Sequence, residues 1–154
     1  MKFILDTNIV LSYAMNKQKI LDYIDSIFTL FADENFITIS VITVGELYSI
    51  ALQRNWGKQK NIDLNRIINK LFILDINHDA LVKRYAEIDA YSQGKLANKP
   101  LPPGVSARNM GKNDLWIAAT ASVTNATLIT TDNDFEHLNN TFLNLFYIDI
   151  SKFV

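Results

Sequence analysis

The chain has 154 residues, 49% hydrophobic and 20% charged, with 15 basic and 16 acidic side chains and a net charge of −1. That is the composition of one ordinary globular domain with a core of its own, and it gives no support to a protein that coats nucleic acid through bulk positive charge. There is no cysteine, and the only histidines are His78 and His137, so disulfide frameworks, zinc–thiolate sites and thiol nucleophiles are excluded.

In chain order, the pattern alternates short apolar runs with longer helical stretches. Strands are expected over 2–6, 36–40, 72–75, 127–130 and 145–148, most without polar/apolar alternation, as for strands covered on both faces. Helices are expected over 9–15, 17–31, 42–55, 58–70, 78–93 and 113–124, with a short one over 134–139. Strand and helix in alternation predict an α/β fold, a three-layer α/β/α sandwich on a central parallel sheet of about five strands. No repeat or linker divides the chain, so one domain over 1–154 is expected. The stretch "GKLANKPLPPGVSARNMGK", 94–112, carries three prolines and three glycines and reads as an irregular loop with a functional role or as a surface excursion. The chain opens straight into its first strand without the apolar region of a signal peptide. No apolar run is long enough to span a bilayer, so a cytoplasmic protein is expected.

Carboxylates fall at the ends of these elements. Asp6 closes the first strand in "FILDTNIV", Glu46 lies early in the helix after the second strand, and Asp132 and Asp134 follow the fourth strand in "LITTDNDF". Parallel strands point their carboxyl ends to one edge, where ligands bind. Asp114, in "GKNDLWIAATA", joins them if its helix starts on that edge. Each acid also has an ordinary reading. Asp6 suits a cap, Asp132 and Asp134 suit an Asx turn or an N-cap, Asn113 or Asp114 suits a helix cap, and Glu46 falls nearly opposite a core stripe of Val44, Leu47, Tyr48 and Ala51. Asp114, however, shares a helical face with Ile117, Ala118 and Ala121 while Trp116 and Val123 point away, which sets a carboxylate on a packing face. Several carboxylates at one rim cannot all stay ionised, and a hard divalent cation such as Mg²⁺ or Mn²⁺ removes the conflict. Such a cation activates water and neutralises phosphodiester charge. No Gly-x-Ser-x-Gly elbow or phosphate-binding Gly-rich loop competes.

"LDTNI", "VGEL", "NDLWIAATA" and "LITTDNDF", in this order and spacing, resemble the PIN-domain ribonucleases, especially VapC-like toxins of toxin–antitoxin pairs. The resemblance implies an Mg²⁺- or Mn²⁺-dependent endoribonuclease that leaves a 5′-phosphate and a 3′-hydroxyl. It maps the acidic quartet onto Asp6, Glu46, Asp114 and Asp132, with Asp6, Asp114 and Asp132 as metal ligands. It makes Thr7, Asn8, Asn113 and Thr130 polar supports, with Asp134 secondary. It further implies single-stranded RNA as substrate, a small antitoxin as partner and a homodimer. Lys95, Lys99, Arg108 and Lys112 in the irregular stretch are candidate RNA-phosphate contacts or plain solvated charges. Tyr13, Tyr48, Trp56 and Trp116 are candidate stacking platforms or packing residues. The rivals are an RNA-processing nuclease without a toxin role and a catalytically inactive module that binds metal or a basic partner. A haloacid-dehalogenase-type phosphotransferase would want an acid two residues after Asp6, where this chain has Asn8.

Overall fold

The computed structural model describes residues 1–154. Strands Lys2–Leu5 (β1), Phe36–Ser40 (β2), Phe72–Leu74 (β3), Thr127–Thr130 (β4) and Asn144–Tyr147 (β5) pair in parallel throughout, in the order β3-β2-β1-β4-β5. The α-helices are Thr7–Ala14 (α1), Gln18–Phe28 (α2), Val41–Gln53 (α3), Lys58–Ile68 (α4), Asp79–Ser92 (α5) and Lys112–Thr124 (α6). Two 3-10 segments, Asn133–Leu138 and Ile150–Phe153, complete the chain.

Alternation along the strands builds the layers. In β1, Phe3 and Leu5 face one side, into a core with Ile9, Ile24, Leu47 and Leu64 from α1 to α4. Ile4 faces the other side, where Ile88 of α5 and Ala118 and Ala121 of α6 meet it together with Leu128 and Phe135. Each fully buried Leu or Ile stabilises the fold by about 1.5–3 kcal/mol, so the central strands β1 and β4 are the rigid frame. The edges differ from the expectation of strands covered on both faces. Phe72 is 56% and Ile73 50% exposed, because β3 has a neighbour on one side only.

Element ends depart from the sequence pattern where side chains cap the backbone. Strand β1 stops at Leu5 and α1 begins at Thr7, because Asp6 is the N-cap residue and takes the Thr7 amide. Helix α2 ends at Phe28, short of the expected 31, because Thr29 turns left-handed with φ 44°. The 3-10 segment after β4 begins one residue early, capped by Asp132.

Strand order reverses between β1 and β4, since β2 and β3 lie on one side of β1, and β4 and β5 on the other. A crevice opens at such a switch point, at the carboxyl ends of the strands. Helix α6 begins on that same rim. Asn125, left-handed at φ 54°, and Ala126 are its whole connection to β4, so α6 runs antiparallel to β4 and its start lies beside the end of the strand. The condition set for Asp114 is thereby met by topology.

The irregular stretch is packed on the domain rather than looped away from it. Leu96, Leu101 and Met110 join the second core, and the amides of Lys95 and Arg108 donate to the Ala90 and Ser92 carbonyls at the end of α5.

Candidate metal centre

At the β1–β4 crevice the Asp6 carboxylate is buried and has both oxygens engaged. Oδ1 accepts the Thr7 amide at 2.7 Å and Oδ2 accepts the Thr130 hydroxyl at 2.6 Å. Burial pushes its pKa up, the two hydrogen bonds pull against that, and the negative charges of Glu46 and Asp132 push it further up. Thr130 is fully buried and works in both directions, since its Oγ1 also accepts the Asp132 amide at 2.9 Å. One hydroxyl thus ties the end of β1 to the turn after β4.

Thr7 extends the network to α3, its hydroxyl donating to Glu46 Oε1 at 2.7 Å. The buried stripe of α3 is Thr43, Leu47 and Ala51, while Tyr48 is exposed and its hydroxyl donates to Asn65. At about 100° per residue, Glu46 sits about 100° from Leu47. It flanks the stripe and does not face away from it, a correction to the sequence expectation. Counting Tyr48 as core and Thr43 as polar rotates the stripe away from Glu46.

Asp114 is the least compensated of the acids. The N-cap residue of α6 is Gly111, so neither Asn113 nor Asp114 caps the helix. No hydrogen bond reaches the Asp114 carboxylate, and its pKa is pushed up to about 7, first by burial and then by the charges of Asp6, Asp132, Glu46 and Asp134. Carboxylate oxygens of Asp114, Asp132 and Asp134 lie within 4.8 Å of one another. Asp132 also caps the 3-10 segment, its Oδ1 accepting the Asp134 amide at 2.9 Å, which fixes the two acids relative to each other. Asp134, expected to be secondary, stands in this triplet, while Asp6 lies outside it with both oxygens hydrogen-bonded, though its charge acts on Asp114 more than that of any other acid. The Asp-x-Asp spacing at the start of a 3-10 turn is the sequence signal for that role.

No basic side chain neutralises the cluster, since the chain's ion pairs are Arg66–Asp63 and Arg84–Glu87. The donors are all oxygen. His78 caps α5, and His137 Nε2 lies 2.7 Å from Ser92 Oγ. Converging carboxylates without a cationic partner fit a divalent cation that takes oxygen ligands.

Beside Glu46 an open groove of about 530 Å³ is lined along α3 from Val41 to Gln53, with Ile42, Gly45 and Ile50 among its lining and Asn113 from α6. Asn113 is therefore placed at the groove next to Glu46. Asn8 is exposed, and its side chain makes no hydrogen bond. Sequence patterning did not reveal the groove, which depends on how α3 meets the start of α6. Of the basic residues, Lys95 and Arg108 share one pocket, Lys112 is exposed on the first turn of α6, and Lys99 Nζ lies over the Phe142 ring at 4.6 Å. Among the aromatics, Trp116 packs on Tyr85 and Tyr13 on Phe31, while Tyr48 and Trp56 line a shallow pocket on α3.

The PIN domain family model matches residues 3–140. Among solved structures, the chain superposes on VapBC2 from Rickettsia felis bound to a promoter DNA fragment, with TM-score 0.70 and 26% identity over 97% of this chain and 100% of that one. FitAcB from Neisseria gonorrhoeae gives TM-score 0.68 and 26% identity over 95% and 96% of the two chains. VapBC-1 from nontypeable Haemophilus influenzae gives 0.65 and 25% over 96% and 98%. No curated protein sequence matches the chain significantly. A parallel sheet in this strand order, an acidic crevice at its switch point and a family match over most of the length agree, and the chain belongs to the PIN domain family.

Proposed function

We propose that this protein is a divalent-metal-dependent endoribonuclease of single-stranded RNA, folded as one PIN domain over 1–154, and the toxin of a toxin–antitoxin pair acting in the cytoplasm. The observation that carries the reading is the approach of the Asp114, Asp132 and Asp134 oxygens to within 4.8 Å with no basic partner. The likeness to VapBC2 and FitAcB supports a dedicated protein partner, an antitoxin, and a homodimer belongs to the same proposal. No helix is long and apolar enough to cross a membrane.

Asp114, Asp132 and Asp134 would hold an Mg²⁺ or Mn²⁺ ion, with Asp6 and Glu46 near enough to add their charges. When bound, the ion supplies Lewis acidity, lowering the pKa of a water and offsetting charge on the phosphodiester. The chain's own residues set the geometry. Thr130 and the Thr7 amide hold the Asp6 carboxylate in one orientation, so that part of the negative field at the site is fixed before substrate arrives. Thr7 does the same for Glu46, which stands at the mouth of the groove. With its pKa raised to about 7 by burial and the neighbouring carboxylates, Asp114 would release a proton on binding a cation. The groove along α3 receives the nucleotide next to the cleaved linkage. Ile42 and Ile50 offer apolar surface to a base, and Asn113 offers an amide.

The test is incubation of purified protein with single-stranded RNA in Mg²⁺ or Mn²⁺, then with EDTA, alongside Asp6→Asn and Asp114→Asn. Cleavage that stops with EDTA and in both variants supports the reading. Cleavage indifferent to EDTA, or retained in both variants, contradicts it. For the toxin role, growth arrest on expression should be relieved by co-expression of the product of a small adjacent open reading frame.

A further inference from the structure

The irregular stretch 94–112 brings two positive charges to one pocket. Lys95 and Arg108 line one pocket of about 270 Å³ with Gln93, Ala107 and Asn109. Both ends of the pocket are anchored to α5, through the Lys95 amide to the Ala90 carbonyl and the Arg108 amide to the Ser92 carbonyl at 2.7 Å. Neither side chain has a carboxylate within ion-pair distance, and the Arg108 guanidinium makes no hydrogen bond inside the protein. Two cations held near each other without counter-ions repel, so the pocket is a ready place for an anion.

Its position ties it to the acids. Arg108 lies in the irregular stretch that leads into α6, and its charge acts on His137, on the 3-10 segment that carries Asp134. Burial, together with the positive charge there, holds the His137 pKa down to about 4. Ser92 knits the two sides, its hydroxyl meeting His137 Nε2 and its carbonyl the Arg108 amide. The cationic pocket is thus linked to the acids through His137 and its 3-10 segment, and a polyanion reaching both would meet a metal at one and side-chain cations at the other.

We propose that Lys95 and Arg108, with Asn109 at the rim, form a phosphate subsite that holds a backbone phosphodiester of the substrate RNA outside the linkage cleaved at Asp114, Asp132 and Asp134, an assignment that rests on the nuclease reading above. Arg108 supplies a planar fork for two phosphate oxygens and Lys95 a point charge. The contact carries no base information and sets where the strand lies across the acids.

The experiment compares Lys95→Ala/Arg108→Ala with the charge-preserving Arg108→Lys and with Lys99→Ala, which removes a charge from the same stretch but outside the pocket. Cleavage kinetics on single-stranded RNA are measured in Mg²⁺. Binding of labelled RNA is measured by anisotropy in an Asp114→Asn background across a salt series. The double variant should raise KM about tenfold with kcat within about twofold, and flatten the slope of log K against log salt by about 0.7 for each phosphate that is no longer neutralised. Arg108→Lys should restore most of the affinity, and Lys99→Ala should change either reading less than about twofold. If the wild-type protein cleaves RNA but the double variant matches it, or matches Lys99→Ala, the subsite is overturned and the nuclease reading stands. If the protein never cleaves yet loses RNA binding only in the double variant, the nuclease reading falls, and Lys95 and Arg108 are a phosphate contact of an RNA-binding protein rather than a subsite of a nuclease. An acidic peptide that binds the pocket when RNA does not would overturn the subsite in favour of a protein contact. Neither binding nor cleavage of RNA by the wild type would overturn both.

Discussion

Replacing Asp114 by Asn should stabilise the metal-free protein, although it removes a residue proposed to be essential. The Asp114 carboxylate has no hydrogen-bond donor and is half-buried among Asp6, Asp132, Glu46 and Asp134, which raises its pKa from 3.8 to about 7. A raised carboxyl pKa means that the folded state holds the proton more tightly than the unfolded chain. The fold therefore bears no penalty below the unfolded value, and loses stability progressively as pH rises from about 4 to about 7. At about 1.4 kcal/mol per pH unit the ceiling is about 4 kcal/mol, and solvent screening of a partly exposed carboxyl brings it nearer about 2 kcal/mol. In EDTA at pH 8, Asp114→Asn should then melt about 4–8 °C above wild type, a gain that shrinks toward zero near pH 3.5. Adding Mg²⁺ should narrow or reverse the order, because the wild type gains more binding free energy from the ion than the variant does. Calorimetry or circular dichroism against pH, with and without Mg²⁺, reads all of this. A variant that is less stable than wild type at pH 8 in EDTA, or a difference independent of pH, would refute the reasoning.

Three further outcomes follow from the geometry. Thr130→Val keeps the shape but removes the hydroxyl shared by Asp6 and the Asp132 amide, so it should lower stability by about 1–3 kcal/mol and RNA cleavage at least about tenfold; urea unfolding and initial rates measure both. Gly45→Phe should impair RNA cleavage without unfolding the protein. A Cβ at Gly45 meets nothing within 4 Å and lies at the groove, while loss of a mid-helix glycine favours α3, so KM should rise as the melting temperature holds or increases. By NMR, the His137 ring should stay neutral until pH falls to about 4. Because burial and Arg108 lower that pKa, the unfolded chain binds the proton more readily, and His137 should subtract stability as pH falls from 6.5 toward 4.

The parallel sheet and its helices were legible because apolar runs of strand length alternate with helical periods, and strand polarity then sends Asp6, Glu46 and Asp132 to one rim. The ordinary and functional readings of Asp6 and Asp132 proved compatible. Each caps the helical segment that follows it, and each still presents its charge to the crevice. The sequence named these residues, but three of their settings escaped it because they depend on packing between distant elements. Glu46 looks remote from the core only when the helical stripe includes Tyr48, and the Thr7 hydroxyl, from α1, shows why it matters. Asp114 resembles a cap, but Gly111 takes that position and leaves the carboxylate bare inside the helix. Lys95 and Arg108 are indistinguishable from Lys99 and Lys112 until the end of α5 gathers the two ends of the irregular stretch.

The most direct test titrates Mn²⁺ into the purified protein by calorimetry, with Asp114→Asn, Asp132→Asn and Asp134→Asn beside it. The account predicts saturable binding with proton release at neutral pH, weakened at least about tenfold in each variant. Wild-type protein that takes up neither Mn²⁺ nor Mg²⁺, or variants that bind as tightly as wild type, would contradict it.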